Sequence, residues 1–168
     1  MSTRKLLPRT LPALLALVCT TASFGQVAMT QTLGNGWGAT TTPELFSTRP
    51  VIGSSMVVAA FNCIPNAESY FCVSARPMAG PTDLGSGLYI QVDLGVFDAY
   101  GPVHTDAVGA LSFPVHLGLP ANLAGEQAAV QMYVVDPVRT ICVAPQTGTC
   151  SQFGFEVTNG LLLTLGLQ

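Results

Sequence analysis

The feature that most limits how this chain can fold is the brevity of its apolar runs. After the first 25 residues each is soon stopped by glycine, proline or Asn-Gly, and none repeats at the 3.6-residue spacing of an amphipathic helix. Several alternate strictly. In 109–117, Leu111, Phe113, Val115 and Leu117 face one way, while Ser112, Pro114 and His116 face the other. In 88–94, Leu88, Ile90, Val92 and Leu94 oppose Tyr89, Gln91 and Asp93. A period of two is the mark of a half-buried strand. With 17 glycines and 12 prolines dispersed along 168 residues, the breaks come too often for long helices. The pattern predicts an all-β domain of short antiparallel strands, a jelly-roll-like β-sandwich.

Strands are expected at 44–48, 54–62, 70–75, 88–94, 109–117, 128–136, 153–158 and 161–165, with a further one within 138–143. The stretch 54–62 is apolar on both faces, as a central strand is. Pro114 marks an edge or a bulge. Pro65-Asn66 predicts a turn that folds 70–75 back on 54–62 as a hairpin. Asn159-Gly160 is the strongest two-residue hairpin signal, because both positions tolerate positive φ. Residues 76–87 and 95–106 read as loops. Residues 26–41, with Gly34-Asn35-Gly36-Trp37-Gly38, read as an irregular opening, which leaves 42–168 as the domain.

The N-terminus has another character. Arg4, Lys5 and Arg9 precede an apolar stretch from 11 to 19, and small polar residues follow up to Gly25. That order of basic, apolar and small predicts a cleavable secretory signal peptide, with the cut expected before Gln26 and the bond before Ser23 as the alternative. The apolar stretch is shorter than the roughly 20 residues of a membrane span, and no second span follows, so no transmembrane anchor is expected. Cys19 is a poor lipidation site, since bulky Val18 stands where a very small residue belongs. The protein is therefore expected outside the cytoplasm, in the envelope or beyond the cell.

Loss of residues 1–25 takes three of the six basic residues and none of the nine acidic ones, which leaves a net charge of −6. Arg49, Arg76 and Arg139 are the remaining cations. Such a chain has no basic patch for nucleic acid or anionic lipid. Four cysteines remain, Cys63, Cys72, Cys142 and Cys150, an even number for an oxidising compartment. Four cysteines allow three pairings. The local scheme, Cys63–Cys72 and Cys142–Cys150, is the simplest. Neither spacing suits zinc.

Few groups carry chemistry. No serine has the Gly-x-Ser-x-Gly setting of a nucleophile elbow. The glycine-rich opening neither follows a strand nor starts a helix, which excludes a dinucleotide loop. Asp93, Asp98 and Asp106, with Asp83 nearby, suggest at most a weak calcium site, because hard cations take oxygens from acidic loops. His104 and His116 are the candidates for a transition metal, although a strand histidine facing solvent explains His116 as well. Trp37, Tyr89, Tyr100 and Tyr133 are the candidates for stacking on a sugar ring. No resident cofactor is expected.

Thr42-Pro43-Glu44-Leu45, the turn at Gly53, Leu119-Pro120, Leu123-Ala124-Gly125, Val130-Gln131, Asp136, Thr158-Asn159-Gly160-Leu161 and Leu165-Gly166 follow one another in a recognisable order. In this the chain resembles a large, uncharacterised group of secreted bacterial β-sandwich proteins, numerous in large-genome aquatic bacteria. The resemblance spans most of 40–168 and is clearest over 109–168. It implies export and fold, and it carries over no catalytic residue. The chain departs from that group in lacking a cysteine in its glycine-rich opening, and 137–152 looks like an insertion. The functional expectation is an exported, non-enzymatic module with a structural, adhesive or ligand-binding role, its partner a glycan or an envelope protein. A small secreted hydrolase or carbohydrate-active enzyme is the competing reading.

Overall fold

The computed structural model describes residues 26–38, 41–75, 77–83, 89–93, 95–136 and 154–168. The expected signal peptide, the strand within 138–143, and Cys142 and Cys150 lie outside them. Eleven strands appear in chain order: β1 (Met29–Leu33), β2 (Glu44–Ser47), β3 (Ser55–Phe61), β4 (Glu68–Ser74), β5 (Pro77–Asp83), β6 (Tyr89–Val92), β7 (Phe97–His104), β8 (Leu111–His116), β9 (Gln127–Asp136), β10 (Gly154–Val157) and β11 (Gly160–Thr164). A single 3-10 turn at Ala121–Leu123 is the helical content of the described residues. The fold is all-β, and every strand ladder is antiparallel.

The large sheet runs β1-β11-β9-β4-β7, with β10 also on β9; a second sheet runs β2-β3-β8, and β5 and β6 form a ribbon. Alternation dictates the packing. Leu45, Met56, Val58 and Ala60 of the small sheet share one cluster with Phe71, Val130, Met132, Val134, Leu161 and Leu163 of the large sheet. Phe71 meets Phe113 edge to face at 5.0 Å, a favoured aromatic geometry. The residues one step along point to the opposite face of the large sheet. There Cys72 and Ala129 pack with Ile90 and Val92 of β6, with Tyr133 against the margin of this cluster, so the β5–β6 ribbon covers part of that face.

Four expectations are corrected. First, β3 and β4 are not a hairpin. β3 pairs with β2 and β8, whereas β4 pairs with β7 and β9, so the turn at Pro65-Asn66 carries the chain from one sheet to the other. The local pairing Cys63–Cys72 falls with it. Both cysteines are buried free thiols. Cys63 belongs to the cluster between the two sheets and Cys72 to the cluster beneath the ribbon, so the large sheet separates them.

Second, Asn159-Gly160 is not a tight turn. β10 and β11 both run along β9, opposite 133–136 and 127–130, as one strand interrupted at Thr158 and Asn159. Neither Asn159 nor Gly160 has positive φ. Glycine is needed at 160 for a close approach: a Cβ there would stand 2.5 Å from Gln91 Cβ.

Third, 95–106 holds the eight-residue strand β7, nearly all of it exposed, which composition disguised as a loop. Likewise β5 occupies part of 76–87. Fourth, the opening 26–41 contributes β1, which closes one edge of the large sheet by pairing residue for residue with β11.

Candidate ligand-binding face

The outer face of the large sheet carries a row of aromatic residues. Trp37 and Val157 exchange both backbone hydrogen bonds, at 2.7 and 2.9 Å, and so form a narrow antiparallel bridge. Val157 stands opposite Tyr133, and Tyr133 opposite Tyr70. Directly opposed residues share a face. The row therefore reads Trp37, Val157, Tyr133, Tyr70 across four adjacent segments of chain. Phe155, two residues from Val157 on β10, places its ring 5.9 Å from that of Tyr133, tilted by 52°. Trp37, Tyr70, Tyr133 and Phe155 are each partly exposed, while Val157 is buried between its neighbours.

Polar groups edge the row. Glu68 lies two residues from Tyr70 on β4, hence on the same face, and its Oε1 accepts a hydrogen bond from the Tyr70 hydroxyl. His104 is the cross-strand partner of Glu68 and is exposed. The bond to Glu68 raises the Tyr70 phenol above its usual pKa, and burial raises that of Tyr133. Both rings thus keep a neutral hydroxyl, able to donate and accept.

One side of the face is held by a buried amide. Gln131, fully enclosed two residues before Tyr133 on β9, takes the Gln91 N–H on Oε1 at 2.9 Å. Its Nε2 donates to the Tyr89 carbonyl at 3.0 Å and to the Thr158 carbonyl at 2.8 Å. This pins the ribbon to the sheet at the backbone of Tyr89, whose side chain is 38% exposed. Two of the four residues singled out for stacking, Trp37 and Tyr133, therefore share one face; Tyr89 meets that face through its backbone carbonyl. Tyr100 does not join them: it lies 59% exposed on the edge strand β7, opposite Phe71, which points into the main core. Tyr70 and Phe155 are members that sequence reasoning missed. The signal was available in part, since Tyr70 opens an expected strand, but its face depends on a register that the sequence leaves open.

The acidic residues do not converge. Asp98 sits near the start of β7, and Asp106 lies beyond its end. Asp98 pairs with Val73 and His104 with Glu68, five residues apart on β4, so the strand carries Asp98 and His104 about 17 Å apart with Asp106 beyond its end. Asp106 is occupied by its own turn: Oδ1 accepts the N–H groups of Val108 at 2.9 Å and Ala110 at 2.8 Å. Asp93 Oδ1 likewise accepts the Gly95 N–H at 2.9 Å. The side chain of Asp83 lies outside the described residues. His116 is on the small sheet, within 3.5 Å of Ser55 Oγ, and His104 is on the large one. Among the described residues, no three of His, Cys, Asp and Glu group as metal ligands would.

No protein-family model, curated protein or solved structure matches this chain. No described helix is long and apolar enough to cross a membrane.

Proposed function

We propose that the protein is an exported β-sandwich module that binds carbohydrate on the outer face of its large sheet, without catalysing a reaction. The aromatic row of Trp37, Tyr133 and Tyr70 carries this reading. Sugar rings present flat C–H faces to aromatic π-systems and hydroxyls to groups at the rim. The neutral phenols, the Glu68 carboxylate and the exposed His104 supply that rim. The basic and apolar N-terminal order and the resemblance to secreted bacterial sandwiches support export. The core cluster shared by the two main sheets suits the sandwich architecture.

A glycan array probed with the exported protein, with and without calcium, tests the proposal. A discrete set of ligands is expected. Tyr70→Ala, at a partly exposed position, should weaken their binding about tenfold or more, near the upper end of what one aromatic contact contributes. Tyr70→Phe should retain most of it. No glycan retained, or unchanged binding by Tyr70→Ala, would reject the reading. Glycan hydrolysis abolished by Glu68→Gln would favour the enzyme instead.

A further inference from the structure

We infer that β1 is a self-recognition edge, through which two copies of this chain pair antiparallel to form a dimer with a continuous large sheet. A sheet edge exposes unpaired N–H and C=O groups, and natural proteins guard such edges with proline, charge or bulges. The edges at β7, β8 and β2 are guarded in this way. β7 contains Asp98 and Pro102 and meets β4 through a register shift. β8 contains Pro114, and β2 starts on Glu44 directly after Pro43. β1 is Met-Thr-Gln-Thr-Leu: it has no charge and no proline, it pairs with β11 without a shift, and no described strand pairs with its other edge.

The sequence of β1 also says which strand fits there. Antiparallel pairing centred on Gln31 sets Met29 against Leu33 of the second copy, Thr30 against Thr32, and Gln31 against Gln31. Apolar meets apolar and threonine meets threonine, both favourable cross-strand pairs, and no like charges oppose. A hollow of about 610 Å³ lies along this edge, lined by Met29, Thr30, Thr32, Phe46 and Thr48 among others, with Arg49 beside them as its one charged residue. A strand added to β1 would run beside it and over Phe46, whose ring is otherwise 57% exposed. An unrelated extended peptide lacks this residue-for-residue match, so the second copy is the occupant.

Sedimentation equilibrium of the exported protein over a range of concentrations provides the test. A reversible dimer is expected. Gln31 is exposed, so Gln31→Lys and Gln31→Glu should fold, which circular dichroism and thermal melts will check. Each variant alone places like charges on the two-fold axis and should dimerise about fivefold more weakly or worse. An equimolar mixture should recover the dimer as a Lys–Glu pair. A monomer at all concentrations, undiminished dimerisation of both variants, or a mixture that fails to recover would each overturn the proposal. Glycan binding is read separately, because both variants leave Trp37, Tyr70 and Tyr133 unchanged.

Discussion

Asn159 shows how one side chain can stand in for backbone. It is 4% exposed, and its amide completes the edge of the small sheet: Oδ1 accepts the Leu45 N–H at 2.7 Å, and Nδ2 donates to the Leu45 carbonyl at 3.1 Å. The two sheets are thereby joined at β2, and Leu45 is held facing the core. In a type I′ turn glycine would serve as well as asparagine. Here Asn159→Gly deletes both bonds and strands a buried amide and carbonyl, so it should destabilise by about 1–3 kcal/mol. Chemical denaturation measures this, and an unchanged midpoint would restore the tight-turn reading. The thiols are a second case. Burial, with the Glu156 charge adding to it, pushes Cys63 up to about 12, and burial pushes Cys72 up to about 11. Both exceed the ordinary value of 9.0, so folding retains protons that the unfolded chain releases. Their stabilising contribution is whole below pH 9 and is lost as pH rises toward 11 and 12. Cys63→Ala and Cys72→Ala should flatten the fall in stability across that window. In the native state at neutral pH, both thiols should resist alkylation.

At the scale of elements, β7 and the turn after it show why acidic residues close in sequence need not form a site. An extended strand carries its ends far apart, and the carboxylate at the far end is spent on its own backbone. Asp106 caps two amides, which settles the turn that returns the chain toward β8. Asp106→Ala should therefore cost about 1–2 kcal/mol by leaving those amides unpaired. Millimolar calcium should leave the melting temperature where a chelator does. A calcium-dependent rise lost in Asp98→Asn would mean that the strand brings these oxygens together after all. The alternation of β8 and the apolar character of β3 were legible, because period two and continuous apolarity reflect what lies on each face. β7 was not legible. An edge strand exposed along most of its length feels little selection for apolar residues, and it tolerates the Gly101-Pro102 pair that reads as a loop.

For the molecule as a whole, backbone pairing among the described residues starts at Gln26, whose carbonyl accepts the Leu167 N–H at 3.1 Å; Ala28 N–H then donates to the Gln168 carbonyl at 2.9 Å. The two ends of the described chain thus meet at the edge of the large sheet. The signal reading predicts, independently, that the intact mass of exported protein corresponds to a chain starting at or within a few residues of Gln26. Exported material that retains Met1 would refute the signal reading. By itself, the sequence determined the all-β class, the position of most strands and the face that β8 buries, since these follow from local periodicity and from the backbone limits of glycine and proline; on β6 the alternation failed at Gln91, which is buried. Only the tertiary structure decided which strands are neighbours. That choice rests on contacts between residues far apart in the chain, such as Asn159 with Leu45, Gln131 with Tyr89, and Trp37 with Val157. It put Cys63 and Cys72 on opposite sides of a sheet, drew β10 and β11 into one line, and set Trp37 beside Tyr133. A period of two says that a residue faces in or out, but the partner across the ladder is fixed by the summed packing of the whole core.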